Sequence, residues 1–196
     1  MQNQNTRTVN SIRNSIVAII MYIINLVLQF ISRKVFIDYL SADLLGLNTT
    51  IVSILQFLNI AEMGIGTAIA CTLYNPISRG DNLQICDIIS LQGHLYKRIA
   101  CFILVCGLIV IGLIPVIFSK TVLPLWYAYS TFIVLLFASL LTYFATYKQI
   151  ILSASQQEYK ILLSYKLWQL IKIAAQIVAI IYFENGYIWW LGFEVL

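Results

Sequence analysis

Residues 99–119 read IACFILVCGLIVIGLIPVIFS and carry no charged side chain. A transmembrane helix needs about 20 consecutive, mostly apolar residues, because the hydrocarbon layer that it crosses is about 30 Å thick. In the whole chain 61% of the residues are apolar and 10% are charged. A soluble domain has about 45–50% apolar and about 25% charged residues. The sequence therefore predicts an all-α polytopic membrane protein.

Four further segments are predicted to cross the membrane, because each is long and mostly apolar. They cover residues 14–32, 48–70, 124–147 and 167–184. A sixth apolar run at 187–196 is too short to cross, and its Trp189–Trp190 pair is typical of an aromatic belt at the membrane interface. We therefore expect residues 1–196 to form a single helical domain with five complete spans and the start of a sixth. Because a chain rarely stops shortly after a hydrophobic helix begins, we also expect a fragment of a longer transporter.

The lysines and arginines predict the orientation of the chain. They lie between the apolar runs and form no single patch, which argues against a nucleic-acid partner despite the net charge of +4. With the N-terminus inside, the inner segments hold eight of them: Arg7, Arg13, Arg79, Lys97, Arg98, Lys148, Lys160 and Lys166. The outer loops hold three: Arg33, Lys34 and Lys120. Because inner loops are enriched in basic residues, the N-terminus is predicted to be cytoplasmic.

Several polar side chains fall inside the predicted spans, where they are costly and often functional. Gln169, Lys172 and Gln176 share one helical face of the fifth span, and Asn25 and Gln29 share one face of the first. Lys172 either extends toward the cytoplasmic headgroups or faces a cavity as a cation that meets an anionic substrate. Asn25 and Gln29 are candidates for interhelical hydrogen bonds as well as for the same cavity.

Glu62 is the one acid within the second predicted span. It is interpreted either as a buried acid that is paired or kept protonated by desolvation, or as a proton or cation coupling site. The residues after it form two small-xxx-small pairs, which are Gly64 with Ala68 and Gly66 with Ala70. Such pairs indicate close helix packing, with a flexible point in a moving helix as the alternative.

The sequence offers no catalytic or metal-binding set. His94 is the only histidine, and the four cysteines include no CxxC pair. No catalytic residue, metal or cofactor is therefore predicted, and the chain is not expected to be an enzyme.

Short motifs carry a resemblance to a known family. They read RKVFIDYL at 33–40, LGL at 45–47, IVSIL at 51–55, AEMGIGTA at 61–68 and ILSASQQEYK at 151–160. The first four resemble the opening of bacterial polysaccharide flippases, which belong to the multidrug/oligosaccharidyl-lipid/polysaccharide exporter superfamily. These flippases often have a leucine-glycine step before the second span and an acid-x-Gly-x-Gly turn within it. The fifth motif resembles their cytoplasmic linker.

The resemblance implies a protein of the bacterial inner membrane that flips lipid-linked oligosaccharides for O-antigen or capsule biosynthesis. Its substrate would be an anionic polyprenyl-pyrophosphate-linked oligosaccharide, moved by alternating access between two helical bundles. This chain would supply most of the first bundle, and a C-terminal bundle of the same protein would be its partner. A related cation-coupled drug antiporter and an accessory membrane subunit of envelope assembly are the alternatives.

Overall fold

The computed structural model describes the backbone of residues 4–62, 64–146 and 158–195, and the side chains of residues 15–60, 62, 64–144 and 162–195. Within these ranges the chain forms helices and no strand. The prediction of an all-α protein is therefore confirmed for this part of the chain. Most of the segment 151–160, which carries part of the family resemblance, lies outside the described residues.

Seven α-helices follow one another along the described residues. They are α1 (Gln4–Leu40), α2 (Ala42–Leu58), α3 (Ile65–Arg79), α4 (Asn82–Ile117), α5 (Leu125–Thr146), α6 (Glu158–Tyr182) and α7 (Gly186–Glu194). A 3₁₀ helix, Asn59–Glu62, lies between α2 and α3. Two tight connections end in side-chain caps, which replace missing hydrogen bonds at a helix start. Ser41 Oγ accepts the Leu44 N–H at 3.4 Å, and Asp81 Oδ1 accepts the Gln84 N–H at 3.2 Å.

Four of these helices are long and apolar enough to cross a membrane. The qualifying parts are Ser15–Leu40, Asn82–Ile117, Leu125–Phe144 and Leu162–Tyr182. Large apolar side chains on them point away from the protein, such as Phe30, which is 71% exposed, and Val116, which is 70% exposed. Contiguous apolar surface of this kind is unfavourable in water and favourable in lipid. The chain is therefore a multi-pass helical membrane protein.

The second predicted span differs from the sequence-based expectation. Residues 48–70 were expected to form one helix, but α2 ends at Leu58, and α3 begins at Ile65 after the 3₁₀ turn. Gly64 separates them with φ +92° and ψ −18°, a backbone conformation that a right-handed helix does not contain. At 1.5 Å per residue, α2 alone rises about 25 Å, which is less than the hydrocarbon thickness.

A small apolar cluster around Leu73 joins α3 and α4, and two larger clusters hold the other described helices together. The larger of these two joins α2, α4 and α5, with Ile51, Ile103 and Phe132 fully buried at its centre. The smaller of the two joins α1, α2, α6 and α7, and includes Phe36 and Trp190, whose rings meet edge to face with centroids 5.2 Å apart. Helix α1 packs along α6, and α6 packs against α7. Helix α2 contributes residues to both of these clusters, so it connects α4 and α5 with the group formed by α1, α6 and α7.

We predict that Gly64→Ala lowers the stability by about 1–2 kcal/mol, because a side chain is strained at this positive φ. Crowding is not the reason, since an added Cβ at Gly64 has no neighbour within 4 Å. Gly46→Ala in α2 is the matched control, because its Cβ also has open space and its φ is not positive. Alanine in a helix interior is expected to be neutral or to stabilise by up to about 1 kcal/mol. Thermal unfolding in detergent would measure both variants, and equal midpoints would contradict the role of the Gly64 backbone.

Candidate functional site

An open cleft of about 470 Å³ lies between α2 and the group formed by α1, α6 and α7. Its walls are largely polar, although the helices that form it are apolar elsewhere. The polar lining residues are Gln29, Ser32 and Arg33 of α1, Asn48, Thr49, Ser53 and Gln56 of α2, Gln169, Lys172 and Gln176 of α6, and Glu194 of α7. Small-molecule sites usually enclose about 300–1,000 Å³. The cleft is therefore large enough to hold part of a ligand.

Two hydroxyls on the α2 wall present hydrogen-bond acceptors to the cleft. Thr49 Oγ1 donates to Leu45 O at 2.8 Å, and Ser53 Oγ donates to Thr49 O at 2.9 Å. Because each hydroxyl donates its hydrogen to a backbone carbonyl of α2, only its lone pairs are free to accept a hydrogen bond from a ligand. The Oδ1 atom of Asn48 is buried and has no hydrogen-bond partner among the described residues. A ligand that carries hydroxyl donors would match this wall.

The two amides of α1 predicted from helical spacing meet the α6 face across a helix interface. Asn25 Nδ2 donates to Gln169 Oε1 at 2.8 Å, and Gln29 Nε2 donates to Asn25 Oδ1 at 3.0 Å. Lys166 Nζ also donates to Gln169 Oε1, at 3.0 Å. Asn25 is only 4% exposed and does not line the cleft, whereas Gln29 does. Asn25 thus forms the interhelical bond expected of it and supports its two cleft neighbours.

Lys172 forms an ion pair within the protein. Its Nζ lies 3.0 Å from Glu194 Oε2, and Gln176 Nε2 donates to Glu194 Oε1 at 2.9 Å. Gln176 is 3% exposed and its Nε2 also donates to the carbonyl of Trp190 at 3.2 Å. Lys172 and Gln176 lie one helical turn apart on α6, so they present two donors to one carboxylate.

Sequence reasoning missed Glu194, although it completes this group. It lies 22 residues after Lys172, beyond the reach of helical spacing. The structure shows that α6 and α7 form an antiparallel hairpin, which returns Glu194 to the level of Lys172. The predicted start of a sixth span at 187 already implies a turn at Asn185-Gly186, but Glu194 was not considered as a partner for the fifth span. Trp190 is also buried in the protein rather than placed at an exposed interface, whereas Trp189 is 52% exposed.

Gly186 makes the hairpin possible. A Cβ at this position would lie 2.9 Å from Ile180 Cα and 3.1 Å from Ile180 O. Real side chains essentially never approach backbone so closely, so α7 can pack on α6 only with glycine here. The next residue, Tyr187, is 4% exposed and shares a hydrogen bond with the Thr131 hydroxyl of α5. These contacts fix the direction in which α7 presents Glu194.

Glu62 lies outside the cleft, in the 3₁₀ turn between α2 and α3. Its carboxyl group interacts with the hydroxyls of Tyr96 and Tyr143, whose rings pack edge to face with centroids 5.9 Å apart. Nearby, Asn59 Oδ1 accepts hydrogen bonds from the Tyr143 hydroxyl at 3.1 Å and the Ser139 hydroxyl at 3.3 Å. Glu62 is half-buried rather than buried, with polar neighbours, and both its pairing and its role in coupling stay predictions.

The four small residues after Glu62 occupy two different environments. A Cβ on Gly66 would meet the Tyr96 hydroxyl at 3.4 Å, and Ala70 is buried. This pair faces α4, as the close-packing interpretation expects. Gly64 and Ala68 are exposed, and Gly64 forms the break before α3.

The chain was compared with protein-family models, curated proteins and solved structures. No protein-family model matches the chain, and no curated protein or solved structure does so either.

We expect Gly186→Ala to destabilise the protein by about 1–3 kcal/mol, because the added methyl group overlaps the α6 backbone. Gly192→Ala in the same helix is the control, since a Cβ there has no neighbour within 4 Å. It should leave the thermal midpoint unchanged or raised. A Gly186→Ala midpoint equal to that of Gly192→Ala would argue against the tight hairpin.

Lys172→Met is expected to cost about 1–3 kcal/mol, because it leaves the Glu194 carboxylate without its cation. Adding Glu194→Gln in the same chain should recover most of the loss, since an amide can still accept from Gln176 and bears no charge. Lys120→Met, which replaces an exposed lysine in the turn after α4, is the control. Thermal unfolding of the wild type, the single variants Lys172→Met and Glu194→Gln, the double variant and the control measures the coupling. If the double variant were as unstable as the sum of its single changes, the pair would not be coupled.

Proposed function

We propose that this chain is part of a membrane transporter that flips lipid-linked oligosaccharide repeat units for bacterial surface polysaccharide, such as O-antigen or capsule. The observation that carries the proposal is the polar cleft, in which an acceptor wall on α2 faces a cationic donor wall on α6. The resemblance of residues 33–40, 45–47 and 61–68 to polysaccharide flippases points in the same direction.

The two walls suit the two chemically different parts of such a ligand. Sugar hydroxyls are donors that need acceptors when they leave water, and the exposed hydroxyls of Thr49 and Ser53 offer acceptor lone pairs. A pyrophosphate group is a strong acceptor that matches the ammonium of Lys172 and the amide of Gln176. The polyprenyl tail needs no site of its own, because the exposed apolar faces of the helices lie in lipid. The one carboxylate among the described residues that line the cleft, Glu194, is already paired with Lys172, which favours an anionic oligosaccharide over a drug cation.

The proposed carrier has its N-terminus in the cytoplasm and lies in the bacterial inner membrane. We place five crossings in it: the four long apolar helices, together with α2, the 3₁₀ turn and α3 as one interrupted crossing. Helix α7 then begins the sixth. Interrupted helices are common in secondary transporters, where they shape substrate or ion sites. Alternating access requires a second helical bundle that faces the cleft, and we propose that it is supplied by a further part of the same protein.

The test removes one hydrogen-bonding group from the cleft and leaves the fold intact. Gln56 is exposed on α2 and lines the cleft. Gln56→Leu keeps the size of the side chain, so we expect normal amounts of protein and roughly three- to tenfold slower flipping, the equivalent of one lost hydrogen bond. Gln84→Leu, at an exposed position of α4 outside the cleft, is the matched control.

The measurement is surface polysaccharide in a strain whose own flippase has been deleted and replaced by the gene of this protein. A second assay would measure the rate at which the purified protein flips labelled lipid-linked oligosaccharide in proteoliposomes. Restoration of surface polysaccharide by the wild-type protein, with a defect in Gln56→Leu alone, supports the proposal. No restoration by the wild-type protein, or equal activity of the two variants, would contradict it.

A further inference from the structure

The carboxylate of Glu194 occupies a ready-made anion site. Lys172 Nζ contacts Oε2 at 3.0 Å and Gln176 Nε2 contacts Oε1 at 2.9 Å, so each oxygen has its own donor. Both donors belong to α6, whereas the acceptor comes from α7. The site and its occupant therefore lie on different helices, and one can separate from the other.

Open space reaches this ion pair from two directions. The cleft lies on one side, and a second cavity of about 240 Å³ lies on the other, between α5, α6 and the end of α7. Lys172, Glu194 and Gln169 line both. The side chains of Lys172 and Glu194 keep 23% and 21% of their surface exposed. A small anion can therefore approach the donors without unfolding the hairpin.

One of the two donors, Gln176, has a second bond that does not involve Glu194. Gln176 is buried in the middle of α6 and is fixed by a second bond to the Trp190 carbonyl. Among the described residues, the Glu194 carboxylate is bound only by Lys172 and Gln176. Glu194 thus depends on Lys172 and Gln176 for its stabilisation, whereas these two groups can donate to any anion of suitable shape.

We propose that Glu194 is an internal substitute for a ligand anion, and that a phosphate or pyrophosphate group displaces it from Lys172 and Gln176. The inference rests on the proposed function in one respect, which is that the ligand is anionic. Phosphate oxygens form charge-assisted bonds to the same ammonium and amide donors and carry more charge than a carboxylate. Arg33 and Gln29 line the same cleft and add donors on the α1 side. The released Glu194 side chain moves into the open space beside it.

The test compares the binding of inorganic pyrophosphate to purified protein in phosphatidylcholine nanodiscs at constant ionic strength. Glu194→Gln removes the competing charge, so its Kd for pyrophosphate is expected to be at least about tenfold lower than that of the wild type. Pyrophosphate should also raise its thermal midpoint, because it restores a counter-ion to Lys172. Glu184→Gln, which changes an exposed acid in the α6–α7 connection, should behave as the wild type does.

Two further variants separate an exchangeable anion site from a purely structural ion pair. The Lys172→Met/Glu194→Gln double variant has no cation and should lose the pyrophosphate response. Glu194→Asp keeps the charge on a shorter side chain, which reaches both donors less well, so its affinity for pyrophosphate should fall between the wild type and Glu194→Gln. Affinity in Glu194→Gln equal to that of the wild type, or binding that persists in the double variant, would overturn the inference.

The source of the phosphate group is resolved by a second set of nanodiscs that contain polyprenyl pyrophosphate. A stronger response of Glu194→Gln to these discs identifies a lipid headgroup, and a response to soluble pyrophosphate alone identifies a water-borne ligand. Both support displacement of Glu194, and the absence of both refutes it. Pyrophosphate binding without polysaccharide flipping would refute the proposed function and leave the anion site intact, whereas flipping without pyrophosphate binding would do the reverse.

Discussion

The contact between Lys172 and Glu194 shows the constraint on which the rest of this structure depends. A charged group in a membrane-embedded helix must have a partner, because lipid offers none. Lys172 has its partner only if α7 folds back along α6, which in turn requires Gly186 to lie against the Ile180 backbone. Tyr187 then binds Thr131 and ties the hairpin to α5. The contacts that neutralise one charge are thus the contacts that arrange three helices.

The same constraint explains how helices choose their neighbours here. Apolar side chains gain little by leaving lipid for one another, so polar contacts and close packing carry much of the specificity. Asn25 binds Gln169 across α1 and α6, and Asn59 binds Tyr143 across the 3₁₀ turn and α5. Each of these bonds joins elements that are far apart in the sequence. Together they specify the pairing of elements that hydropathy alone leaves undetermined.

Sequence reasoning predicted what depends on composition along the chain. The long apolar helices overlap four of the five predicted spans, because a run of apolar residues is itself the physical requirement for crossing. The break at Gly64 falls in the acid-x-Gly-x-Gly motif that the family resemblance treats as a turn, whereas hydropathy alone predicted one unbroken span at 48–70, since mean hydropathy does not report φ. Helical spacing brought Gln169, Lys172 and Gln176 onto one face, and the structure places all three on the cleft. Glu194 was missed because its relation to Lys172 arises from a hairpin rather than from a helical repeat.

A cleft whose polar groups already have internal partners binds a ligand by exchange. The anion gains only the difference between its own contacts with Lys172 and Gln176 and those that Glu194 gives up. Affinity is then lower than the number of contacts implies, and the ligand can leave as easily as it enters. A carrier needs this balance, because binding that is too strong stops transport as surely as binding that is too weak. In the proposed flippase, Glu194 therefore keeps the Lys172 site stable in a membrane when it is empty and returns to it as the ligand is released on the other side.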